Sequence, residues 1–417
     1  MDYNQAQSFI NSLSRSGKKV SDLSRICRLL EAVGNPQDKL CFIHIAGTNG
    51  KGSTLEYISD ILQKSGYRTG KFTSPFITHY ADRIRIDSDE IDEASIAEIC
   101  GFVKSRIDSD EFSQFEITMA IAMLYFLREK CDIVVLETGI GGLLDSTNVI
   151  KNPIVSVITS ISLDHTAILG NTVAEIAYQK AGIIKKDCNA VLSVDNSNEA
   201  RQVVREKAAK MNSTLTEVDM NDISVLETDI CGNEFLYKGR KYTTSMGGIH
   251  QIYNAATAIE VCEILKDNGY NISEETIFSS IAETRVRGRI QLIKGNPDVI
   301  VDGGHNLSGV DALIAVLKKE KRPVYVALGI SETKDYSEFA DNLSAICEYI
   351  CCVDGFSDNC VSAEVISDYL KEKCTADFMN YKDGIEKAVM LAKENNGVAV
   401  ICGSLYLASA YLNNYTE

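Results

Sequence analysis

The sequence predicts an α/β protein built as two domains, and three observations carry that prediction. Short β-branched runs alternate with helical periodicity over most of the 417 residues, the pattern of parallel βα units. Those runs are nearly continuous in apolar residues, as expected for strands covered by helices on both faces. A polar, Arg- and Gly-rich break at 284–297 ends in the turn signal Gly295-Asn296-Pro297 and separates a large N-terminal part from a smaller C-terminal one.

In chain order, strands are predicted at 41–46, 133–136, 154–159 and 190–194 before the break, and at 299–301, 324–328, 349–353 and 398–402 after it. Leu55, Ile58, Ile61 and Leu62 share one face of a helix that follows the first strand, with Gly66 as its stop. Residues 212–243 alternate weakly around Cys231-Gly232-Asn233 and Lys238-Gly239-Arg240 turns, which reads as a β-hairpin excursion inside the first domain. The acidic run 87–90 reads as a solvated loop.

Composition narrows the function. The chain has 42 Lys and Arg against 58 Asp and Glu, a net charge of −16. Such a surface repels phosphodiester backbones and anionic lipid, so neither nucleic acid nor a membrane is an expected partner. The 13 cysteines are scattered and include no Cys-x-x-Cys pair, so a zinc ribbon or a thioredoxin-type site has no support. Cys41, Cys131 and Cys402 lie in strand-like runs, where Cys behaves as a small hydrophobe. No secretory signal and no spanning segment of about 18 apolar residues is visible, so a reduced, cytoplasmic protein is expected.

The strongest chemical signal is Gly47-Thr48-Asn49-Gly50-Lys51-Gly52-Ser53-Thr54 between the first strand and its helix. Glycines let backbone N–H groups turn toward a phosphate, and the helix N-terminus adds about half a positive charge. Lys51 offers a point charge to β and γ phosphates, and the Ser53 hydroxyl can reach Mg²⁺. Gly52 intervenes between the lysine and the serine, a departure from the common phosphate-loop spacing. The second predicted strand ends in Glu137, where a parallel sheet can place a metal-ligating carboxylate, although a helix cap or solvated charge is the plainer reading. The third leads into Asp164-His165-Thr166, and a histidine there is more often a hydrogen-bonded loop residue than a ligand.

Beyond these, Thr73-Ser74-Pro75, Phe115-Glu116, Glu137-Thr138-Gly139-Ile140-Gly141-Gly142-Leu143-Leu144-Asp145, Leu163-Asp164-His165-Thr166, Lys180-Ala181-Gly182, His250-Gln251, Asn254-Ala255, Gly288-Arg289, Asp302-Gly303-Gly304-His305-Asn306 and Gly403-Ser404-Leu405-Tyr406 follow one another along the chain. In this order they resemble the motifs of the folylpolyglutamate synthase/dihydrofolate synthase family of the Mur ligase superfamily. The resemblance implies an N-terminal P-loop ATPase domain over 1–290, with a central, mostly parallel sheet and the folate site, and a Rossmann-like α/β glutamate-ligase domain over 291–417. It implies ATP and Mg²⁺ as cofactors, a folate-type acid and L-glutamate as substrates, and an acyl-phosphate intermediate.

The same resemblance assigns residues. Residues 47–54 hold the ATP phosphates, with Asn254, Arg289 and Asp302 at adenine, phosphate and ribose. Ser53, Ser74, Glu137 and His165 correspond to metal ligands, and Lys180 to a lysine that is carbamylated. Lys51, His165, Lys180 and His305 fall in the catalytic set; Phe115, Glu116, Asp145 and Ser404 fall on the substrates. A monovalent cation is a further candidate, and a monomer is expected. Read without the resemblance, Lys180 is equally a helix-end lysine before a glycine cap, Asp302 an Asp-capped turn, and Phe115 a core residue.

Three positions depart from the family pattern: Phe76 replaces a His after Ser74-Pro75, Leu143 replaces an Arg, and Arg287 stands in place of Pro before Gly288-Arg289. The first two lie on the folate side and leave the acyl substrate more open than the reaction type. Whether dihydropteroate is also a substrate stays open. The alternatives are a Mur-type amide ligase for a different carboxylic acid and a nucleotide-binding paralogue without ligation.

Overall fold

The computed structural model describes residues 1–14, 22–107, 111–331 and 336–415. Its backbone resolves into two compact units, Met1–Asn221 with Tyr253–Ile281 and Asp222–Ile252 with Ala282–Glu417. The chain therefore changes unit at 221/222, 252/253 and 281/282, and not once at the expected 290/291 boundary.

The first unit is built on an eight-stranded sheet. Its strands are β1 (Phe42–Ala46), β2 (Thr69–Phe72), β3 (Ile84–Ile86), β4 (Asp89–Glu90), β5 (Ile133–Glu137), β6 (Val155–Ile158), β7 (Asn189–Leu192) and β8 (Thr214–Glu217). They are ordered β4-β3-β2-β5-β1-β6-β7-β8, parallel except where β3 pairs with β2 and β4. All residues of β1, β5 and β6 are buried, which explains why their sequences read as continuous apolar runs. The helix Lys51–Lys64 buries Leu55, Ile58, Ile61 and Leu62, each worth about 1.5–3 kcal/mol of transfer free energy, and ends ahead of Gly66 at φ +90°. The run 87–90 is no free loop: Asp87 accepts a hydrogen bond from Thr69 N at 2.9 Å, and Asp89–Glu90 forms the edge strand.

The second unit carries two sheets. β9 (Ile223–Thr228), β10 (Asn233–Tyr237) and β11 (Arg240–Thr244) form an antiparallel meander. This is the expected excursion, but it belongs to the second unit, where Ile230 joins the hydrophobic core around Ile300, Val326 and Val400. The other sheet comprises β12 (Gln291–Ile293), β13 (Asp298–Val301), β14 (Val324–Leu328), β15 (Tyr349–Asp354), β16 (Ala376–Asn380) and β17 (Val398–Cys402). Its order is β12-β13-β17-β14-β15-β16, parallel except for β12 against β13. Part of the expected linker is thus a strand: Gln291, Leu292 and Ile293 pair with Val301, Ile300 and Val299.

All 13 cysteines are free thiols; Cys402 is buried in β17, whereas Cys41 is exposed just before β1. No helix among the described residues is long and apolar enough to cross a membrane.

Candidate active site

In the first unit the polar groups collect at the carboxyl edge of β2, β5, β1 and β6, where strand order reverses and open α/β sheets bind ligands. β1 runs into 47–50, and Gly50 caps the following helix in the left-handed region, at φ +83°. A Cβ on Gly50 would lie 2.3 Å from Asn254 Oδ1, and one on Gly47 would lie 1.7 Å from Thr159 Oγ1. The loop is therefore wedged between Asn254 on one side and the end of β6 on the other, with backbone where side chains would not fit. Such a cradle with its N–H groups at a helix N-terminus suits phosphate oxygens. Gly50→Ala is expected to lose nucleotide affinity and to cost about 1–2 kcal/mol for the left-handed backbone alone; nucleotide titration and urea unfolding read the two effects.

Two lysines converge on one backbone oxygen in this loop. Lys51 Nζ donates to Gly47 O at 3.2 Å and to Thr48 O at 3.3 Å, and stands 3.7 Å from Glu137 Oε1. Lys180, on the helix Val173–Ala181, donates to the same Gly47 O at 2.7 Å. Lys180 is only 4% exposed. Burial, reinforced by the Lys51 charge and opposed by Asp164 and Asp145, lowers its pKa to about 7. A lysine that ends a helix at the surface would keep its charge; this one is poised between ammonium and amine.

Glu137 is buried at the end of β5, and its Oε2 accepts from Ser74 N at 3.2 Å. Ser53 is buried in the first turn after the loop. Among the described residues no group of three His, Cys, Asp or Glu side chains forms a cage for a metal ion. One carboxylate with nearby hydroxyls and a phosphate cradle is instead the hard-oxygen arrangement that suits Mg²⁺, which keeps several waters and shares nucleotide oxygens. His165 lies one strand further along, exposed on the loop after β6, in a left-handed conformation at φ +49°.

The three residues expected on the acyl substrate differ in kind. Phe115 is half-buried, edge-to-face with Phe72 at 5.7 Å between centroids. Glu116 is consumed structurally: Oε2 accepts from Ser113 N and Oγ at 2.8 Å in a capping box, and Arg25 Nε bonds both oxygens at 2.9 Å. Asp145 is likewise committed, with Oδ2 accepting from Ile140 N at 2.8 Å and Oδ1 from Thr147 N at 2.9 Å and Thr147 Oγ1 at 2.6 Å. Both carboxylates shape the site from behind, because their lone pairs already have protein donors.

The second unit has its own carboxyl-edge cluster, at the ends of adjacent β13, β17 and β14. Asp302 follows β13 and is buried; Oδ2 accepts from Ile290 N and Oδ1 from Gly304 N, each at 2.9 Å. Burial raises its pKa, and the neighbouring Arg289 charge opposes that rise. His305 Nδ1 donates to Gly303 O at 3.2 Å, since a carbonyl only accepts. Ser404, buried after β17, has its hydroxyl 3.4 Å from that of Ser331 after β14 and accepts from Tyr406 N at 3.2 Å.

This geometry has counterparts among known proteins. The family model for the Mur ligase middle domain matches residues 45–262, and the model for the Mur ligase glutamate ligase domain matches residues 288–405. The dihydrofolate synthase/folylpolyglutamate synthase of Bacillus subtilis (strain 168) is 35% identical over 98% of this chain and 97% of its own. This chain belongs to the folylpolyglutamate synthase/dihydrofolate synthase family of Mur ligases. Among solved structures, a folylpolyglutamate synthase complex with AMPPCP and folate superposes with a TM-score of 0.85 at 32% identity, covering 100% of both chains. The Mycobacterium tuberculosis folylpolyglutamate synthase, complexed with ADP and AMPPCP, gives 0.89 at 27% identity, covering 100% of this chain and 98% of its own.

For this member of the folylpolyglutamate synthase/dihydrofolate synthase family, residue-level reading missed several groups at the two edges. Arg83 is 6% exposed, donates from Nη2 to Ser74 Oγ at 3.3 Å, and lies over the Phe72 and Phe115 rings at 5.9 and 5.6 Å. Burial lowers its pKa, while Tyr80, Asp82 and Glu137 oppose that shift; an arginine keeps its charge regardless. Its signal in sequence was weak, one of two Arg in Tyr80-Ala81-Asp82-Arg83-Ile84-Arg85. Ser331 and the buried His44 carried no motif at all. The middle-domain model ends at residue 262 and the glutamate ligase model begins at 288, whereas β9–β11 and β12 pack with the second compact unit.

Proposed function

We propose that this protein is an ATP- and Mg²⁺-dependent ligase that joins L-glutamate to the carboxylate of a folate, acting as a cytoplasmic monomer. The observation that carries the reading is the convergence of Lys51 and a buried Lys180 on Gly47 O beside Glu137. A simple nucleotide binder needs one loop lysine. A second, buried amine with a pKa near 7 suits a group that is converted to an anion close to the phosphates.

A carboxylate is a poor electrophile, and ATP supplies activation as a phosphoryl group that turns it into an acyl phosphate open to attack by the glutamate amine. Catalysis of such a transfer is chiefly positioning and neutralisation of charge. The 47–54 loop and Lys51 hold and neutralise the phosphates. Ser53, Ser74, Glu137 and His165 are assigned to hold Mg²⁺, which spreads the charge of the transferring group. Asn254, Arg289 and Asp302 are assigned to the nucleotide, and His305 and Ser404 to the glutamate side. Phe115 offers a face to the pterin-bearing acid. Arg83, cationic beside Phe115, takes the role that Leu143 does not fill, a charge-assisted contact to the acyl substrate.

The functional division of the chain is assigned at 1–290 and 291–417, in line with the two family models. Phosphate release measured with tetrahydrofolate, its glutamylated forms and dihydropteroate, each with and without L-glutamate, tests the proposal. Release that requires both the acid and glutamate is expected. Equal release without either would mean a nucleotidase. Turnover with none of these acids but with another carboxylic acid would favour the Mur-type alternative, to which Phe76 and Leu143 point.

A further inference from the structure

The buried face of β1 holds a polar group that no part of the mechanism uses. His44 is fully buried, on the sheet face it shares with Phe42 and Ala46, and is paired in register with Leu136 and Ser156. Its Nε2 lies 2.8 Å from Thr147 Oγ1, and Thr147 Oγ1 in turn donates to Asp145 Oδ1 at 2.6 Å. The direction of the line follows from the inventory of protons. An Asp145 carboxylate, which already accepts from two backbone N–H groups, has no proton to give, so the Thr147 hydroxyl proton points to it. His44 Nε2 must then carry the proton that Thr147 Oγ1 accepts, which leaves Nδ1 as the deprotonated nitrogen, and Nδ1 has no hydrogen-bond partner. Burial, with a smaller push from Lys185, lowers the His44 pKa to about 3, so this neutral tautomer persists at physiological pH.

The far end of the line is the 139–148 loop, and that loop grips the end of the helix that carries Lys180. Leu143 N donates to Gln179 O at 2.6 Å, and Asn148 Nδ2 donates to Leu143 O at 3.0 Å and Gly182 O at 3.2 Å. Lys185 Nζ closes the contact from the other side, at 2.9 Å from Asn148 O. There is no slack between the two segments: a Cβ on Gly142 would stand 2.8 Å from both Gln179 O and Lys180 O, and one on Gly182 would stand 2.4 Å from Leu143 Cα. A shift of the loop must therefore move the backbone of Lys180, whose Nζ reaches Gly47 O at 2.7 Å.

We propose that His44, Thr147 and Asp145 form a positioning line that holds the 139–148 loop against residues 179–182 and so keeps the Lys180 side chain on the phosphate loop. None of the three touches the reacting atoms; they act through Lys180. This gives a role to the polar histidine in the middle of a strand whose other residues are apolar, and to the Asp145 carboxylate bound into its own loop. The inference rests on the ligase reading only for its effect on turnover, because the position of Lys180 can be read without any activity.

Thr147→Val keeps the shape of the side chain and removes the hydroxyl, while Thr147→Ser keeps the hydroxyl. Both are compared with the unaltered protein by steady-state kinetics and by amine-acylation of the intact protein followed by mass spectrometry of each lysine. In Thr147→Val, kcat is expected to fall about 10–100-fold, the usual effect of losing a partner behind a functional ligand. Acylation of Lys180 should rise several-fold while that of the buried Lys71 stays unchanged, and Thr147→Ser should recover most of both. Unchanged Lys180 acylation in Thr147→Val overturns the proposal whatever happens to kcat. Equal damage from Thr147→Ser overturns it too, because the hydroxyl would then not be the reason. Raised acylation with wild-type turnover would uphold the positioning line and instead sink the catalytic assignment of Lys180. Should Thr147→Val fail to fold by circular dichroism, His44→Leu removes the donor at the other end of the line and is read in the same way.

Discussion

Lys51→Ala is expected to reduce turnover by about 10²–10³-fold, the usual cost of removing one preorganised stabiliser of transition-state charge, with the fold retained. The side chain is 15% exposed and held by polar contacts to the loop. Its ammonium donates to two loop carbonyls at 3.2 and 3.3 Å and stands 3.7 Å from Glu137. Removing it also removes the charge that adds to burial in depressing the Lys180 pKa, so the Lys180 amine should become somewhat more basic in the mutant. Kinetics of phosphate release and circular dichroism together check the result. A near-normal kcat with a normal spectrum would show that the phosphates do not lie on this loop.

Lys180→Ala is expected to cause a loss of similar size, confined to acyl-phosphate formation. The carbamate that the family resemblance implies for Lys180 would form when the neutral amine adds CO₂, with one proton released and one N–C bond made. Only the unprotonated amine reacts. Since the pKa is lowered from 10.5 to about 7, the amine is largely charged below pH 7 and largely neutral above it. At fixed dissolved CO₂ the activity should therefore rise as pH increases through 7, whereas an ordinary surface lysine would give no such rise until far higher pH. A small carboxylate such as acetate should partly restore Lys180→Ala by occupying the vacated anionic position. Wild-type turnover in Lys180→Ala, or a crystal structure with ATP, Mg²⁺ and bicarbonate showing a free ammonium, would sink the assignment.

Much of the fold is legible in the order of residues. Continuous apolar runs such as 41–46 and 398–402 mark the strands covered on both faces, and they appear as β1 and β17 within one residue. Strands at edges or with unusual composition escape such a reading. β2 is Thr69-Gly70-Lys71-Phe72, and its buried lysine is paired, Lys71 Nζ meeting Glu56 Oε2 at 2.9 Å and Asp60 Oδ1 at 3.7 Å on the preceding helix. β12, three half-buried residues, resembles a linker because a short edge strand needs no apolar pattern of its own.

The sequence by itself determined the chemistry that local order can express: a strand, a glycine loop, a lysine and a helix N-terminus are contiguous from Phe42 to Lys64, so backbone order alone brings them together in space. Tertiary structure alone decided which distant groups share an environment. Lys180 is 133 residues from Gly47, and only their 2.7 Å contact in a buried setting turns a helix-end lysine into an amine with a pKa near 7. In the same way, Glu116 and Asp145 look like free carboxylates in a motif, and only the donors folded around them show that both are committed to the scaffold. The physical reason is common to both cases. Charge and hydrogen-bond capacity are set by dielectric surroundings and by partners brought together across the sheet, and neither is a property of neighbours in sequence.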